Sequence, residues 1–301
     1  YQRLPPIAVW PKKKLCKPSV SIWSIMSQIL KTPLRYPGGK SRAVPKLANF
    51  IPNLDEYHVY REPFLGGGSV ALWVTQKYPN IRVWVNDLYE PLTNFWKTLQ
   101  DDGDKLQRKL MELKSRYPDQ GSARGLFLEA KEVINDREKS HLDRAVGFYV
   151  ANKCSFSGLT ESSSFSKQAS DSNFSMRGIE KLKFYSYAIR NWTITNYDYA
   201  ALLDDNRQAF VYLDPPYDIK DNLYGKKGNM HRGFDHDKFA HICDNYVCRQ
   251  LVSYNATQMI KDRFQDWIAA EFDHTYTMRS VGDYMKDQHE RKELVLMNYE
   301  V

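Results

Sequence analysis

The chain has 301 residues, a length that suits one large α/β domain or a core domain carrying an inserted module. Hydrophobic residues make up 42% of it, enough for a substantial core. The four cysteines (Cys16, Cys154, Cys243 and Cys248) form neither a CxxC pair nor a metal-like spacing, which argues against a disulfide scaffold and for a reduced, cytoplasmic protein. The formal charge of +7 is weak support for a nucleic-acid partner, because Arg3, Lys12, Lys13, Lys14 and Lys17 fall among the first 25 residues with no acid, and the remainder carries only +2.

That N-terminal stretch is rich in Pro and Lys and has no lasting periodicity. Ser19–Leu30 is too short and too broken by serines to span a membrane, and no signal-peptide pattern follows an apolar run. The domain is expected to start near Met26, with residues 1–33 as an extension. A flexible basic arm touching DNA phosphates is the alternative reading.

The first organised segment is Leu34-Arg35-Tyr36-Pro37-Gly38-Gly39-Lys40-Ser41. Its glycines allow close backbone approach, its free N–H groups and Lys40 suit an anionic group, and a helix is expected over Arg42–Phe50. The spacing is not that of a P-loop. His58–Arg61 reads as a strand leading into Glu62-Pro63-Phe64-Leu65-Gly66-Gly67-Gly68-Ser69, with a helix over Val70–Tyr78. Strand, glycine turn and helix together let a small ligand rest against backbone. A second strand, Arg82–Asn86, ends on Asp87, which suits either the two hydroxyls of a ribose or the N-cap of a helix over Leu88–Leu99. The glycine spacing departs from the dinucleotide fingerprint.

Residues 101–190 lose the strand–helix alternation and read as a mostly helical insert. Asp104 and Gln107 resemble a capping box before Leu106, Leu110 and Leu113, with further helices at Arg124–Ile134 and Leu142–Lys153. A serine-heavy stretch, Cys154–Ser175, follows as a long loop or hairpin. Arg177, Lys181, Lys183 and Arg190 are compatible with phosphate contacts or with an ordinary solvated face.

Alternation resumes with strands at Trp192–Asn196, Ala209–Leu213 and Gln250–Tyr254, and helices near Asp235–Cys248 and Thr257–Ile268. His274–Arg279 and Glu293–Tyr299 should close the sheet as an antiparallel pair. The Ala209–Leu213 strand stops on Asp214-Pro215-Pro216-Tyr217. Two prolines end ladder pairing and stiffen the turn, so an acid, a carbonyl and an aromatic face are offered from a rigid rim at a strand's C-terminal end. Such a set suits a planar base bearing an amino group; taken alone it equally suits an ordinary Pro-Pro turn after a strand, with Asp214 as a turn residue. The basic, glycine-containing loop that follows holds Lys226, Lys227 and Arg232, which could contact DNA phosphates.

RYPGGK at 35–40, EPFLGGGSVAL at 62–72, Asp87 and DPPY at 214–217, in this order around a helical insert, closely resemble the DNA adenine-N6 methyltransferases of the Dam type. The resemblance runs from about Leu34 to the C-terminus. It implies a doubly wound, seven-stranded methyltransferase sheet with an antiparallel last strand, in two parts (34–100 and 191–301) around a target-recognition insert (101–190). It implies S-adenosyl-L-methionine as cofactor, with Tyr36 and Lys40 along it, Lys40 near its methionine end, and Phe64, Gly66 and Gly68 as its floor. Asp87 would hold the ribose hydroxyls, Asp198 the adenine, and Asp214 would border the methyl group.

Adenine N6 is a poor nucleophile because its lone pair is delocalised into the ring. Hydrogen bonds from the amino group to the Asp214 carboxylate and the Pro215 carbonyl would favour a pyramidal nitrogen, and Tyr217 would stack on a base flipped out of double-stranded DNA. The resemblance suggests no metal. It leaves an N4-cytosine or RNA-base methylase, or a non-catalytic nucleic-acid-binding module, as alternatives, and a restriction endonuclease as a possible partner in a bacterial or phage-infected cell. In GATC-specific members an Asn-Gly-Leu-x-Arg pattern supplies a base-reading arginine. The corresponding residues here are Ser157-Gly158-Leu159-Thr160-Glu161, and an acid cannot supply arginine's donor pair. GATC specificity is therefore not carried over.

Overall fold

A computed structural model describes residues 30–158, 160, 163–217, 233–273 and 292–300. Seven strands form one sheet: β1 (Val59–Glu62), β2 (Arg82–Asn86), β3 (Thr193–Thr195), β4 (Ala209–Leu213), β5 (Arg249–Asn255), β6 (Ile268–Asp273) and β7 (Lys292–Met297). Their order is β3-β2-β1-β4-β5-β7-β6, with every pairing parallel except the two made by β7. This is the doubly wound sheet with an antiparallel strand that the resemblance implies.

The strand order reverses between β1 and β4, and the C-terminal ends of the strands on either side of such a switch point form the crevice in which open α/β sheets bind ligands. Every residue of β4 is buried, because helices cover both faces, and an all-apolar run suits that position. One face packs against α2 (Ser69–Lys77) and α3 (Glu90–Asp101), the other against α10 (His236–Asp244) and α11 (Gln258–Arg263).

Residues 101–190 contribute α4 (Gly103–Arg116), α5 (Gln120–Val133), α6 (His141–Cys154), α7 (Lys167–Ser172), α8 (Met176–Glu180) and α9 (Leu182–Ala188). Helix α6 is buried from Arg144 to Ala151 and shares its core with α3 through Phe95, Phe148 and Tyr149. Ser140 caps α6 by accepting from the Asp143 N–H, and Arg144 ties it to Glu90 at the start of α3. A second tie runs to the glycine motif. Arg35 N–H donates to Asn152 Oδ1 at 2.9 Å, Asn152 Nδ2 returns a bond to Arg35 O at 2.6 Å, and Arg35 Nη1 reaches Ser155 O at 2.7 Å. The end of α6 is thus bolted to the loop that precedes Lys40.

Several boundaries differ from those read in the sequence. The helix expected over Arg42–Phe50 is a 3₁₀ turn at Lys40–Arg42 followed by a short α1 (Val44–Leu47), with Pro45 in its first turn, where its missing N–H costs nothing. The Asp104–Gln107 box does not form: Asp102 is the N-cap of α4, and Gln107 Nε2 instead donates to Ile179 O and Glu180 O. Helix α10 ends at Asp244 rather than Cys248, because Gln250 on β5 turns back to donate to Cys243 O and Tyr246 O. Helix α11 ends at Arg263, after which the Trp267 N–H closes a turn on Phe264 O and the chain enters β6. The closing antiparallel pair is therefore β6 with β7; the expected strand at His274–Arg279 lies outside the described residues.

Candidate active site

A cavity of about 370 Å³ opens at the C-terminal ends of β1, β2 and β4, a size within the range of small-molecule sites, roughly 300–1,000 Å³. Tyr36, Lys40, Phe64, Gly66, Gly68, Asp87, Asp198 and Asp214 all line it. Residues distant in sequence, and singled out separately, thus meet around one space. Pro216 lines it too, whereas Pro215 and Tyr217 are not among the lining residues, and Tyr217 is tied to the site through its hydroxyl, which accepts from Lys40. Lys226, Lys227 and Arg232 lie outside the described residues.

The floor is built by the glycine turn after β1. Gly66 and Gly68 have φ of +48° and +68°, in the left-handed region, and each lies against a ring. A Cβ on Gly66 would stand 2.9 Å from Tyr36 Cε1, and one on Gly68 2.9 Å from Trp96 Cζ2. Trp96 is fully buried and donates from Nε1 to Gly66 O at 3.3 Å, which fixes the turn from below. Gly66→Ala combines left-handed strain of about 1–2 kcal/mol with displacement of Tyr36. It is expected to lower the melting temperature by roughly 3–8 °C, measured by scanning calorimetry.

Asp87 is 8% exposed and accepts one bond on each oxygen, from Gly66 N at 2.9 Å and Tyr89 N at 3.0 Å. It is not the N-cap of α3; Tyr89 holds that place. Burial pushes its carboxyl up to about 6, against the two backbone donors. An ionised carboxylate offers about four acceptor sites, and the described residues use two of those on Asp87. Asn86, beside it, staples the loops together. Its Nδ2 donates to Pro63 O at 3.1 Å and Tyr197 O at 3.0 Å, and its Oδ1 accepts from Tyr197 N at 2.8 Å. Phe64 stacks on Tyr199 at 5.3 Å, making an aromatic wall, and Asp198 caps the 3₁₀ turn that carries Tyr199.

At the other end Lys40, 4% exposed, points its ammonium at Asp214 Oδ1 (2.7 Å), the Tyr217 hydroxyl (2.6 Å) and Glu293 Oε1 (3.3 Å). Burial pulls its pKa down, but the two carboxylates outweigh this and hold it above the ordinary lysine value. Asp214 Oδ1 also accepts from Ser253 Oγ at 3.0 Å, and Ser253 is linked to the buried Tyr212 hydroxyl at 2.8 Å. No described residue bonds Oδ2, and Asp214 lines the cavity. One oxygen is anchored and the other is presented. Burial raises the Asp214 carboxyl to about 6, with Lys40 opposing and Glu293 adding to the rise.

Ser253, Glu293 and Asn86 were not singled out in the sequence, although each lies at or beside an apolar strand. Glu62, fully buried at the end of β1, was missed as well. It accepts from the Tyr60 hydroxyl at 2.5 Å, and burial pushes its carboxyl well above the usual range.

Residues 36–279 match the family described as D12 class N6 adenine-specific DNA methyltransferase. The chain belongs to that family. It is an adenine-N6 DNA methyltransferase, and the N4-cytosine, RNA-base and binding-only alternatives find no support. It is 24% identical over 288 residues to the type II methyltransferase M.MjaIII of Methanocaldococcus jannaschii, covering 88% of this chain and 98% of that one. It is 22% identical to the type II methyltransferase M.CviBI of Paramecium bursaria Chlorella virus NC1A, over 90% of this chain and all of that one. A DNA N-6-adenine-methyltransferase of Escherichia phage P1 is 24% identical over 195 residues, 64% of this chain and 24% of that protein. Among the described residues no helix of this DNA methyltransferase is long and apolar enough to cross a membrane.

Proposed function

We propose that the methyl donor is S-adenosyl-L-methionine and that the acceptor is an adenine turned out of double-stranded DNA. The observation that carries this reading is the position of Asp214. Its carboxylate lines the cavity and is linked through Lys40 to the Tyr217 hydroxyl, so the proposed donor and acceptor seats meet at Asp214. The cavity fits the donor chemically. Asp87 keeps two acceptor sites for ribose hydroxyls, Phe64 and Tyr199 offer a flat apolar wall for a purine, and Asp198 lies beside them. The bound donor supplies an electrophilic methyl group on sulfur, which leaves with the C–S electron pair remaining on sulfur.

The chain's own residues prepare the acceptor. Asp214 Oδ2 and the Pro215 carbonyl accept the two amino hydrogens of adenine, which localises the nitrogen lone pair, and the Tyr217 ring supports the base. Ser253 and Lys40 fix Asp214 Oδ1 so that Oδ2 is already oriented when the base arrives, which lowers the ordering cost of the reactive geometry. The proton lost from nitrogen after transfer leaves by way of the Asp214 side. Turning the base out costs a few kcal/mol of unstacking, which DNA contacts must offset. Lys226, Lys227 and Arg232 are the proposed phosphate contacts. Residues 101–190 are the proposed target reader, held in register with the site by the Arg35–Asn152 bonds.

The similarity to type II methyltransferases supports pairing with a restriction endonuclease that cuts the same sequence unless it is methylated. The test is to map modified bases in DNA from cells expressing the chain, alongside calorimetry with S-adenosyl-L-methionine. N6-methyladenine confined to one short sequence, with saturable cofactor binding, is expected; absence of either overturns the reading.

A further inference from the structure

We propose that Glu293 is a positioning residue for methyl transfer: from β7 it holds the Tyr217 hydroxyl and the Lys40 ammonium as one unit beside Asp214. This rests on the reading of Asp214 and Tyr217 given above and extends it to a strand that carries none of the four motifs.

The placement of Glu293 is unusual for a carboxylate. It is fully buried, and it opens an otherwise apolar buried run, Leu294–Met297, in the antiparallel strand between β5 and β6. A buried carboxylate persists only where donors and an opposite charge offset its desolvation. Both are present: the Tyr217 hydroxyl donates to Glu293 Oε1 at 2.6 Å, and Lys40 Nζ lies 3.3 Å from the same oxygen. Tyr217 in turn accepts from Lys40 at 2.6 Å, and the ammonium sits 4.7 Å from the centre of its ring. Lysine, tyrosine and glutamate thus close a triangle, with Asp214 attached at the lysine corner.

Two consequences follow. A tyrosine ring can rotate about its bond to the backbone and tilt, but one whose hydroxyl is held from two sides is fixed in plane. That is what a stacking platform for an extruded base requires. The second consequence is electrostatic, since one lysine lies between two carboxylates. Lys40 alone would favour ionised Asp214, and Glu293 works against it. Among the described residues, the groups facing Asp214 are Lys40 from the turn before α1, Glu62 at the end of β1, Tyr212 on β4, Tyr217 beyond it, Ser253 on β5 and Glu293 on β7. Removing the Glu293 charge leaves Lys40 wholly paired with Asp214, so Asp214 should ionise at lower pH. A side chain with only a structural role would not move that titration.

The test separates charge from hydrogen bonding. Glu293→Gln keeps an acceptor for Tyr217 and drops the charge; Glu293→Leu drops both; Tyr217→Phe removes only the hydroxyl. In Glu293→Gln the acid limb of the kcat–pH profile should move down by about half a pH unit or more, as expected when a like charge leaves a shared site. Glu293→Leu and Tyr217→Phe should each lower kcat by about tenfold, with cofactor affinity within about threefold of the wild type, and the double variant should be no worse than either single one, as for residues acting through one bond. An unmoved acid limb in Glu293→Gln overturns the inference, as does strict additivity of the other two. Asp214→Asn run alongside distinguishes this from failure of the underlying reading. If that variant keeps near-normal turnover, the Asp214 assignment itself is wrong; if it is inactive while Glu293→Gln matches the wild type, only the role of Glu293 is.

Discussion

Asp214→Asn should lower kcat by about 10³-fold, the scale seen when one preorganised partner of a reacting group is removed. The substitution is nearly isosteric, but it replaces one carboxylate oxygen by an NH₂ group. Lys40 and Ser253 both donate to Oδ1, so the amide oxygen will turn towards them and the NH₂ will face the cavity. A donor then meets the adenine amino group where an acceptor is required. Folding should survive, because Lys40 keeps Glu293 and Tyr217 as partners and the buried Asp214 charge is itself disfavoured. A melting shift within about 4 °C is expected, equivalent to about 1 kcal/mol for a chain of this size. Single-turnover methylation of a DNA duplex, with differential scanning calorimetry on the same sample, checks both halves. The wild type should reproduce the effect reversibly in acid. With the Asp214 carboxyl near 6, the acceptor is lost as pH falls through that value, so kcat should decline below it. Asp214→Asn should show no such acid limb in its residual rate.

The part of this arrangement that could be read in advance is the part carried by local chemistry. Strands β2 and β4 have the limits expected from sequence, because each is a short run bounded by turn residues. The prolines after Asp214 and the glycines after Glu62 announced a rim and a floor, since those residue types constrain backbone by themselves. Ser253 and Glu293 carried no comparable signal. They reach Asp214 and Lys40 only because β5 pairs with β4 and β7 with β5, and the register Asn255–Glu293 brings the start of β7 to the site. The visible trace was one polar residue beside each of two apolar runs, Ser253 after Leu251-Val252 and Glu293 before Leu294–Met297, which is also how a strand end looks. Helix ends differ from the expected ones for a related reason: Gln107 bonds the end of α8 and Gln250 bonds the end of α10 and the residues just after it, and those contacts, not local capping preferences, decided where the helices began or stopped.

At the opposite end of the cavity Asp87 is expected to make cofactor binding pH-dependent. Its carboxyl, near 4 in an unfolded chain, is raised to about 6 by burial, so the folded protein binds that proton more tightly. The stability of the empty protein attributable to Asp87 is therefore greatest in acid and declines as pH rises from about 4 to about 6, above which the buried charge is carried in full. Ribose hydroxyls of the proposed cofactor, donating to the two remaining acceptor sites, would reverse this preference, since they favour the ionised form. Binding should release a proton, and affinity should rise with pH up to about 6 and level off above it. S-adenosylhomocysteine, a neutral thioether at sulfur, is the suitable probe, because it lacks the sulfonium charge beside Asp214. Isothermal titration at pH 7.5 and pH 5 should show up to about tenfold weaker binding at the lower value, the most that one group titrating a single unit above can impose. Asp87→Asn should bind about 10–100-fold more weakly at pH 7.5, the worth of hydrogen bonds to a charged acceptor, and should lose the pH dependence. Asp214→Asn should keep it. If Asp87→Asn retained the wild-type pH slope, the hydroxyls would have to be held by another group, and the cofactor would lie differently along the cavity.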